Sequence, residues 1–387
     1  MILKRIMKSK MITIILPTKN RHDVLFRALR YYSEVGFQGC ICIGDSSDGE
    51  HLECNKRQIK MFGNRLNIVH KEYPELDEPQ CSQQLANIVN TPYAAWVGDD
   101  DFLIPSGLEK CMIFLEEHPE YSAAHGLDLK IKTKDNVVFG PIVSCKLVNH
   151  QAVEEAESAS ERLLNYAKHP TTVTYSVHRT ETLQLIWRNN HLVDDRVFTG
   201  RFPEYISIIK GKIKKLDCLS LIRGRLSYRY IAIEQQCIYS WLTNEKWLSF
   251  FKIFEDVFIK ELMKKDEIGL DKAREVVKQF LLHFIYCRLR DNFQADHPRD
   301  YNSLFPNKAS QTKSGLEDGQ SLLKRLKYLI PGLQRFRRKL IDFGVTSSGL
   351  TKRHGLTLQS FLDPSSPYHR DFMPVYHAVT VTPERME

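Results

Sequence analysis

Residues 93–103 read YAAWVGDDDFL, an apolar run that passes through one glycine into three adjacent aspartates, Asp99, Asp100 and Asp101. The unbroken apolar stretch 93–97 has the pattern of a strand buried on both faces, as in a parallel sheet covered by helices. Three earlier segments fit beside it. Residues 11–16 (MITIIL) form a first strand ended by Pro17, residues 40–43 a second, and residues 66–70 (LNIVH) a third. The second stops at the turn-rich Gly44-Asp45-Ser46-Ser47-Asp48-Gly49. Helical spacing appears over 23–34, a polar helix over 50–62, and a further helix over 81–89. The β-α-β-α-β-α-β order predicts an α/β fold with a doubly wound, mostly parallel sheet flanked by helices. Ligands of such sheets bind beyond the carboxyl ends of the strands. Every polar cluster here falls at such an end: Pro17-Thr18-Lys19-Asn20-Arg21, then Asp45 to Asp48, then the three aspartates.

Downstream, a helix over 108–118 opens at Pro105-Ser106-Gly107. Strand-like pieces follow at 121–125, 127–133, 172–178 and 214–221, and the pattern turns helical over 226–292, notably 247–259 and 273–290. The chain thus divides into a domain over 1–225, a helical extension over 226–292, a polar linker over 293–320, and a basic amphipathic tail over 321–387. Within the tail, residues 321–355 hold nine Lys or Arg against one acid, Asp342.

Composition narrows the class. With 42% hydrophobic and 26% charged residues in 387, the chain has material for a core and is neither disordered nor collagenous. No apolar run approaches the ~18 residues of a membrane span. The apolar stretch near the start is short and lacks a small-residue cleavage site, so no secretory signal is expected. Nine cysteines without a CxxC pair read as reduced thiols, which places the chain in the cytoplasm. Cys40 and Cys42 are expected on one face of a strand.

Three adjacent carboxylates repel one another unless a cation sits among them. Hard oxygens of this kind suit Mn2+ or Mg2+, completed by phosphate oxygens of a substrate. A solvated acidic turn is the plainer alternative, and the buried strand before it argues against that. The polar residues Asp45, Ser46, Ser47 and Asp48 suit a base or ribose, although an ordinary Asx turn has the same composition. Phe202-Pro203-Glu204-Tyr205 puts Glu204 in a first helical turn, where the dipole favours its charged form. It is either a general base or a capping acid, and Asp194 and Asp195 compete for the base role. The fourteen histidines form no metal motif, and no Walker loop, GxGxxG or GxSxG occurs.

These residues resemble a known family. The opening Pro-Thr-x-Asn-Arg, the strand ending in Asp-Ser-Ser and the strand ending in DDDF look like a GT-A fold (Rossmann-like) glycosyltransferase of the family 2 type. Three segments, TPYAAWVGDDDFLIPSGLEKCMIFLEEHPEYSAAHG, TTVTYSVHRTE and FPEYISIIKGKIKKLD with the nearby LIRGR, resemble a bacterial subgroup from surface-polysaccharide loci. The resemblance spans residues 11–226. It implies a metal-dependent, inverting transfer of sugar from a nucleotide-sugar donor to a glycan or lipid-linked acceptor. Pro17, Thr18, Asn20 and Arg21 would border base and ribose, and Asp45, Ser46, Ser47 and Asp48 would contact the base. Asp99, Asp100 and Asp101 would hold the Mn2+ or Mg2+, with Asp99 also near the ribose, and Glu204, or Asp195, would be the catalytic base. Gln83 and Gln84 stand where typical members carry a basic residue beside Asn, so Gln83 becomes the candidate donor contact there. The Q-x-x-R-W motif is absent, and residues 222–225 are the nearest feature.

The same fold and residues would also serve a transferase of a nucleotide-activated alditol phosphate. A catalytically silent glycan-binding domain is the third alternative. The basic stretch 321–355 suits either an anionic membrane surface, making the protein peripheral on the inner face of the plasma membrane, or a docked helix. No specific nucleic-acid partner is expected, since no recognised module is present.

Overall fold

Every residue of β1 (Ile12–Thr18) is buried, as a strand between two neighbours and two helical layers must be. β2 (Cys40–Asp45) lies parallel to one side of it, β4 (Tyr93–Trp96) to the other, and β3 (Asn67–Glu72) parallel to β2. The computed structural model describes residues 11–148, 152–168, 171–188, 204–226, 242–243, 245–296 and 356–382. Crossovers between these strands are α1 (His22–Glu34), α2 (Gly49–Phe62) and α3 (Glu78–Ile88).

β1 runs on through Pro17 and Thr18 rather than stopping at Pro17. Its residues alternate between neighbours: Ile15 O accepts from Val97 N on the β4 side, and Thr18 O from Ser46 N on the β2 side. Pro17 therefore faces β4, but beyond the last pair, Ile15 with Trp96, so its missing N–H interrupts no ladder.

Beyond β4 the sheet changes character. Its order is β3-β2-β1-β4-β8-β6-β9-β5, with β7 paired to β6 outside that row. The added strands are β5 (Asp101–Leu103), β6 (Tyr121–Thr133), β7 (Ile142–Leu147), β8 (Val177–Arg179) and β9 (Lys212–Arg223). β8 is antiparallel to β4 and β6, β5 to β9, and β7 to β6, while β6 and β9 are parallel. The fold is α/β as expected, but parallel pairing dominates only in the N-terminal half. The cause is connection length. Helical crossovers join β1 to β4, whereas β6 returns into β7 through a short turn at Lys134–Asn136, and a hairpin of that length is necessarily antiparallel.

β6 is one strand where two pieces are expected. Gly126 does not break it but lets β9 approach, for a Cβ there would lie 2.1 Å from Cys218 O. Of residues 172–178 only the last two join a strand, because Ser176 N turns back onto Val173 O at 2.9 Å.

α4 (Pro105–Glu117), α5 (Ala159–Lys168), α6 (Thr180–Trp187) and a helical segment α7 (residues 204–210) surround the sheet. The expected helical extension is α8 (Trp247–Asp266) and α9 (Leu270–Asp296). Asp266 caps α5, accepting from Ala159 N at 2.6 Å and Ser160 N at 2.8 Å. Tyr205 of α7 packs edge-on against Phe280 of α9 at 4.6 Å between ring centroids. Buried Arg162 donates to Ile208 O (2.9 Å) and Ile209 O (3.0 Å), satisfying carbonyls at the end of α7.

α9 continues to Asp296, four residues into the expected linker, and residues 297–355 lie outside the described residues. The chain divides into one compact unit, Met1–Cys287 with Leu356–Glu387, and a second, Arg288–Gly355. Residues 356–382, read from sequence as part of the tail, therefore belong with the sheet. They form α10 (Leu358–Leu362) and α11 (His369–Thr380), whose Phe361, Phe372, Val375, Ala378 and Val379 are buried in the main core. Fully burying a side chain such as Phe372 or Val375 contributes about 1.5–3 kcal/mol. Arg30 of α1 fixes the end of α11, donating to Ala378 O (2.7 Å) and Val381 O (2.8 Å). Cys40 and Cys42 share a face as expected, with sulfurs 3.9 Å apart and both thiols free. Among the described residues, no helix is long and apolar enough to cross a membrane.

Candidate functional site

At the C-terminal end of β1 the backbone turns through Asn20, whose φ of 53° lies in the left-handed region that asparagine tolerates. The turn carries Asn20 to the end of β2. Its N–H donates to Ser47 Oγ at 2.8 Å, and its side-chain oxygen accepts from Asp48 N at 3.0 Å. Beneath this rim sits Asp45, wholly buried. It accepts from Ser47 N at 2.9 Å and from Asn55 Nδ2 of α2 at 2.9 Å, and His70 Nε2 of β3 lies 3.3 Å away. Burial alone would raise the Asp45 pKa, but the hydrogen bonds from His70, Ser47 and Asn55 outweigh it and hold the carboxyl below its usual value. Ser46, also buried, pairs through its N–H with Thr18 O at 2.9 Å.

A depressed native pKa stabilises the fold above the unfolded value near 3.9 and is lost as pH falls through the native value. The acid limb of melting temperature against pH, from about pH 5 downward, is accordingly expected to be shallower in Asp45→Asn than in the wild type. Parallel limbs in a calorimetric pH series would show that Asp45 carries no such linkage.

The second cluster meets the first through Thr18 and Arg21. Thr18 Oγ1 donates to Asp99 Oδ2 at 2.8 Å. Arg21 spans two carboxylates, Nη1 to Asp99 Oδ1 at 2.8 Å and Nη2 to Asp100 Oδ2 at 3.2 Å. Burial pushes the Asp99 carboxyl up to about 6; Arg21 opposes that shift and Asp100 adds to it. Asp101, directed elsewhere, accepts from Gly224 N at 2.9 Å and hydrogen-bonds Tyr175. Burial first, then the Asp100 charge, drives its pKa well above the ordinary carboxylate range. Gly224 is required by this approach, since a Cβ there would lie 2.5 Å from Asp100 O.

α1 holds the aspartate turn from below. Arg27 Nη2 donates to Asp100 O at 3.0 Å and its Nη1 to Val138 O at 2.8 Å, with the guanidinium 5.1 Å from the Phe102 ring centre. Tyr31 OH donates to Leu103 O at 3.2 Å, and Leu103 N to Tyr32 OH at 3.3 Å. The helix periodicity explains why these three share a face. Arg223, inside the 222–225 feature, binds Asp128 with Nε 3.0 Å from Oδ1.

Glu204 opens α7 as expected and is buried. Val173 N donates to its Oε2 at 3.0 Å, and Thr174 Oγ1 donates to Oε1. His178 lies 3.2 Å from Val173 O and, on its other ring nitrogen, 3.2 Å from Ser207 Oγ; burial pushes its pKa down to about 4, so the ring is neutral. Residues 173–175 therefore join Glu204 to the aspartates: Thr174 touches one, and Tyr175 the other. Gln83 is turned toward α6, donating to Arg188 O at 2.9 Å. Its neighbour Ser82 accepts from Trp96 Nε1 at 2.9 Å, and the Trp96 ring meets Tyr175 at 5.3 Å. Asp194 and Asp195 lie outside the described residues.

The structure thus brings together Thr18, Asn20, Arg21, Asp45, Ser47, Asp48, Asp99 and Asp100, and links Asp101 to Glu204 through residues 173–175. It does not gather the aspartates into one ligand set. Among the described residues, no group of three or more His, Cys, Asp or Glu side chains is placed to hold a metal ion. Asn55, His70, Arg27, Tyr175 and Arg223 carry contacts that sequence reasoning missed. Only Tyr175 and Arg223 had a signal, as members of the TTVTYSVHRTE and LIRGR strings.

No protein-family model matches the chain, and no curated protein matches its sequence. Among solved structures, S. aureus TarS 1–349 is similar at 13% identity over 78% of this chain and 76% of that one, with a TM-score of 0.43. The same protein in complex with UDP-GlcNAc matches at 14% identity, 78% and 77% coverage and a TM-score of 0.43. Its complex with UDP matches at 13%, 78%, 76% and 0.41. The likeness is distant, and the case for function rests on the site.

Proposed function

We propose that the chain is a metal-dependent glycosyltransferase of the GT-A type. It would move a sugar, with inversion, from a nucleotide-activated donor to a glycan or lipid-linked acceptor in bacterial surface-polysaccharide synthesis. The observation that carries this reading is the hydrogen-bonded continuity of residues 18–21, 45–48 and 99–100 at the C-terminal ends of three adjacent parallel strands.

The rim formed by Asn20, Ser47 and Asp48 offers amide and hydroxyl groups of the kind that hold a nucleoside. The aspartates offer hard oxygens. A divalent ion suits them, because Mg2+ and its like take one or two carboxylates and complete their shell with water and phosphate oxygens. Buried carboxylates that burial still disfavours, despite one guanidinium, also call for further positive charge. Asp99, Asp100 and Asp101 would hold the ion, which when bound neutralises charge on the departing nucleoside diphosphate. Glu204, oriented by Val173 and Thr174, would take the proton of the acceptor hydroxyl. The basic residues 321–355 would bring the enzyme to anionic lipid.

A thermal-shift panel of UDP, GDP, CDP and CMP, each with Mn2+ or with EDTA, tests the donor site. One nucleotide is expected to raise the melting temperature with Mn2+ and not with EDTA. At 100 times its dissociation constant it would contribute about 2.7 kcal/mol. Indifference to all four in both conditions would remove the donor-site reading.

A further inference from the structure

We propose that Arg21 sets the order of binding. Its guanidinium occupies Asp99 and Asp100 in place of a divalent ion until a nucleoside diphosphate draws it away, so the ion enters with or after the nucleotide. The inference rests on the donor-site reading above and extends it to the sequence of events.

All three aspartates are engaged. Asp99 has one oxygen on Arg21 and the other on Thr18, Asp100 is tied to Arg21, and Asp101 is turned to Gly224 N and Tyr175. Among the described residues, no group of three or more such side chains stands ready for an ion. An ion arriving alone must expel a like-charged guanidinium from two ion pairs. A diphosphate changes that balance. Guanidinium groups match phosphate oxygens through paired N–H donors, so the nucleotide offers Arg21 an equivalent partner while adding anionic ligands for the ion.

The backbone around Arg21 suits such a motion. Its carbonyl is fixed as the start of α1, accepting from Val24 N at 2.9 Å and Leu25 N at 3.0 Å. The residue before it, Asn20, belongs to the nucleoside rim. A pinned main chain therefore places one long cationic side chain between the two halves of the donor site. Only the side chain has to move.

The test uses the full chain and titrates Mn2+, read from the electron paramagnetic resonance of the free ion, with and without UDP, GDP or CDP. Wild-type protein is expected to bind Mn2+ about tenfold or more weakly without the diphosphate, the size of one charge-assisted hydrogen bond lost. Arg21→Ala should bind Mn2+ alone about tenfold more tightly than the wild type, and its dependence on the diphosphate should shrink. Arg21→Lys, a point charge with less reach, should fall between. An Arg21→Ala protein that melts like the wild type yet binds Mn2+ alone no better overturns the proposal. So does wild-type protein that binds Mn2+ equally with and without each diphosphate while the variant does the same. If Arg21→Ala gains Mn2+ affinity although no diphosphate binds either protein, the Arg21 contact stands and the donor reading falls. If diphosphates bind the wild type with Mn2+ but the variant's ion affinity is unchanged, the donor reading stands and the order falls. Should Arg21→Ala not fold, a Lys variant with the wild-type dependence on diphosphate counts against it.

Discussion

Asp101→Asn is expected to lower kcat for sugar transfer by about 10²–10³-fold, the scale on which one preorganised electrostatic contact acts at a transition state, and to leave stability unchanged or improved. The two halves of that expectation come from different facts. Asn keeps an oxygen for Gly224 N, which approaches Asp101 Oδ1 at 2.9 Å, so the turn at the end of β9 retains its hydrogen bond. What is lost is the charge. Asp101 has its native pKa raised by burial and by Asp100, so ionisation costs the fold stability at any pH above the unfolded value. Removing the charge relieves that cost and, on the proposed reading, would withdraw a ligand from the ion. Asp100→Ala, whose side chain is less buried, should lose activity to a similar degree. Kinetics with the donor identified by thermal shift, alongside melting curves, separate the two effects. Full transfer activity in both variants would end the assignment of the aspartates to the metal.

Glu204→Gln is expected to reduce kcat by about 10²–10⁴-fold, the range for a positioned general base, and to remove the acidic limb of the pH–rate profile. The substitution is well matched to its surroundings. The amide oxygen can keep accepting from Val173 N, and Thr174 can rotate its hydroxyl to accept from the amide nitrogen. Loss of activity with an unaltered fold then reports proton transfer. A kcat within twofold of the wild type would move the base elsewhere, and Asp195 would be the next residue to change.

Much of this arrangement is written in local pattern. β1, β2 and β4 are continuous apolar runs that mark buried parallel strands, and each is followed by its polar cluster, so residues 18–21, 45–48 and 99–101 are visible before any fold is known. Pro17 misleads because its effect depends on which neighbour its missing N–H would face, and that is a property of the sheet. Gly126 misleads for a related reason: it serves close approach of β9, not a turn. The supports of the site are less legible still. Asn55 and His70 reach Asp45 from other elements, and Arg27 looks like a polar position on an apolar helix until Asp100 O and Val138 O are beside it. Charge alone also drew the boundary of the tail too broadly. The last helix carries Phe372 and Val375 for the core, although it follows a strongly basic stretch.

The pairing of α1 with α11 bears on how the protein is born. α1 leaves the ribosome long before α11, and the face that holds the aspartate turn is ready early. Its Arg30 must wait for Ala378, 348 residues later. Until then a nascent chain carries the support of its aspartate turn on a helix whose outer cover does not yet exist, and closing so distant a contact is slow. Translation stopped before residue 356 would leave this helix half-covered, exposing apolar surface to chaperones or to other unfinished chains. The later segment thus completes the earlier one.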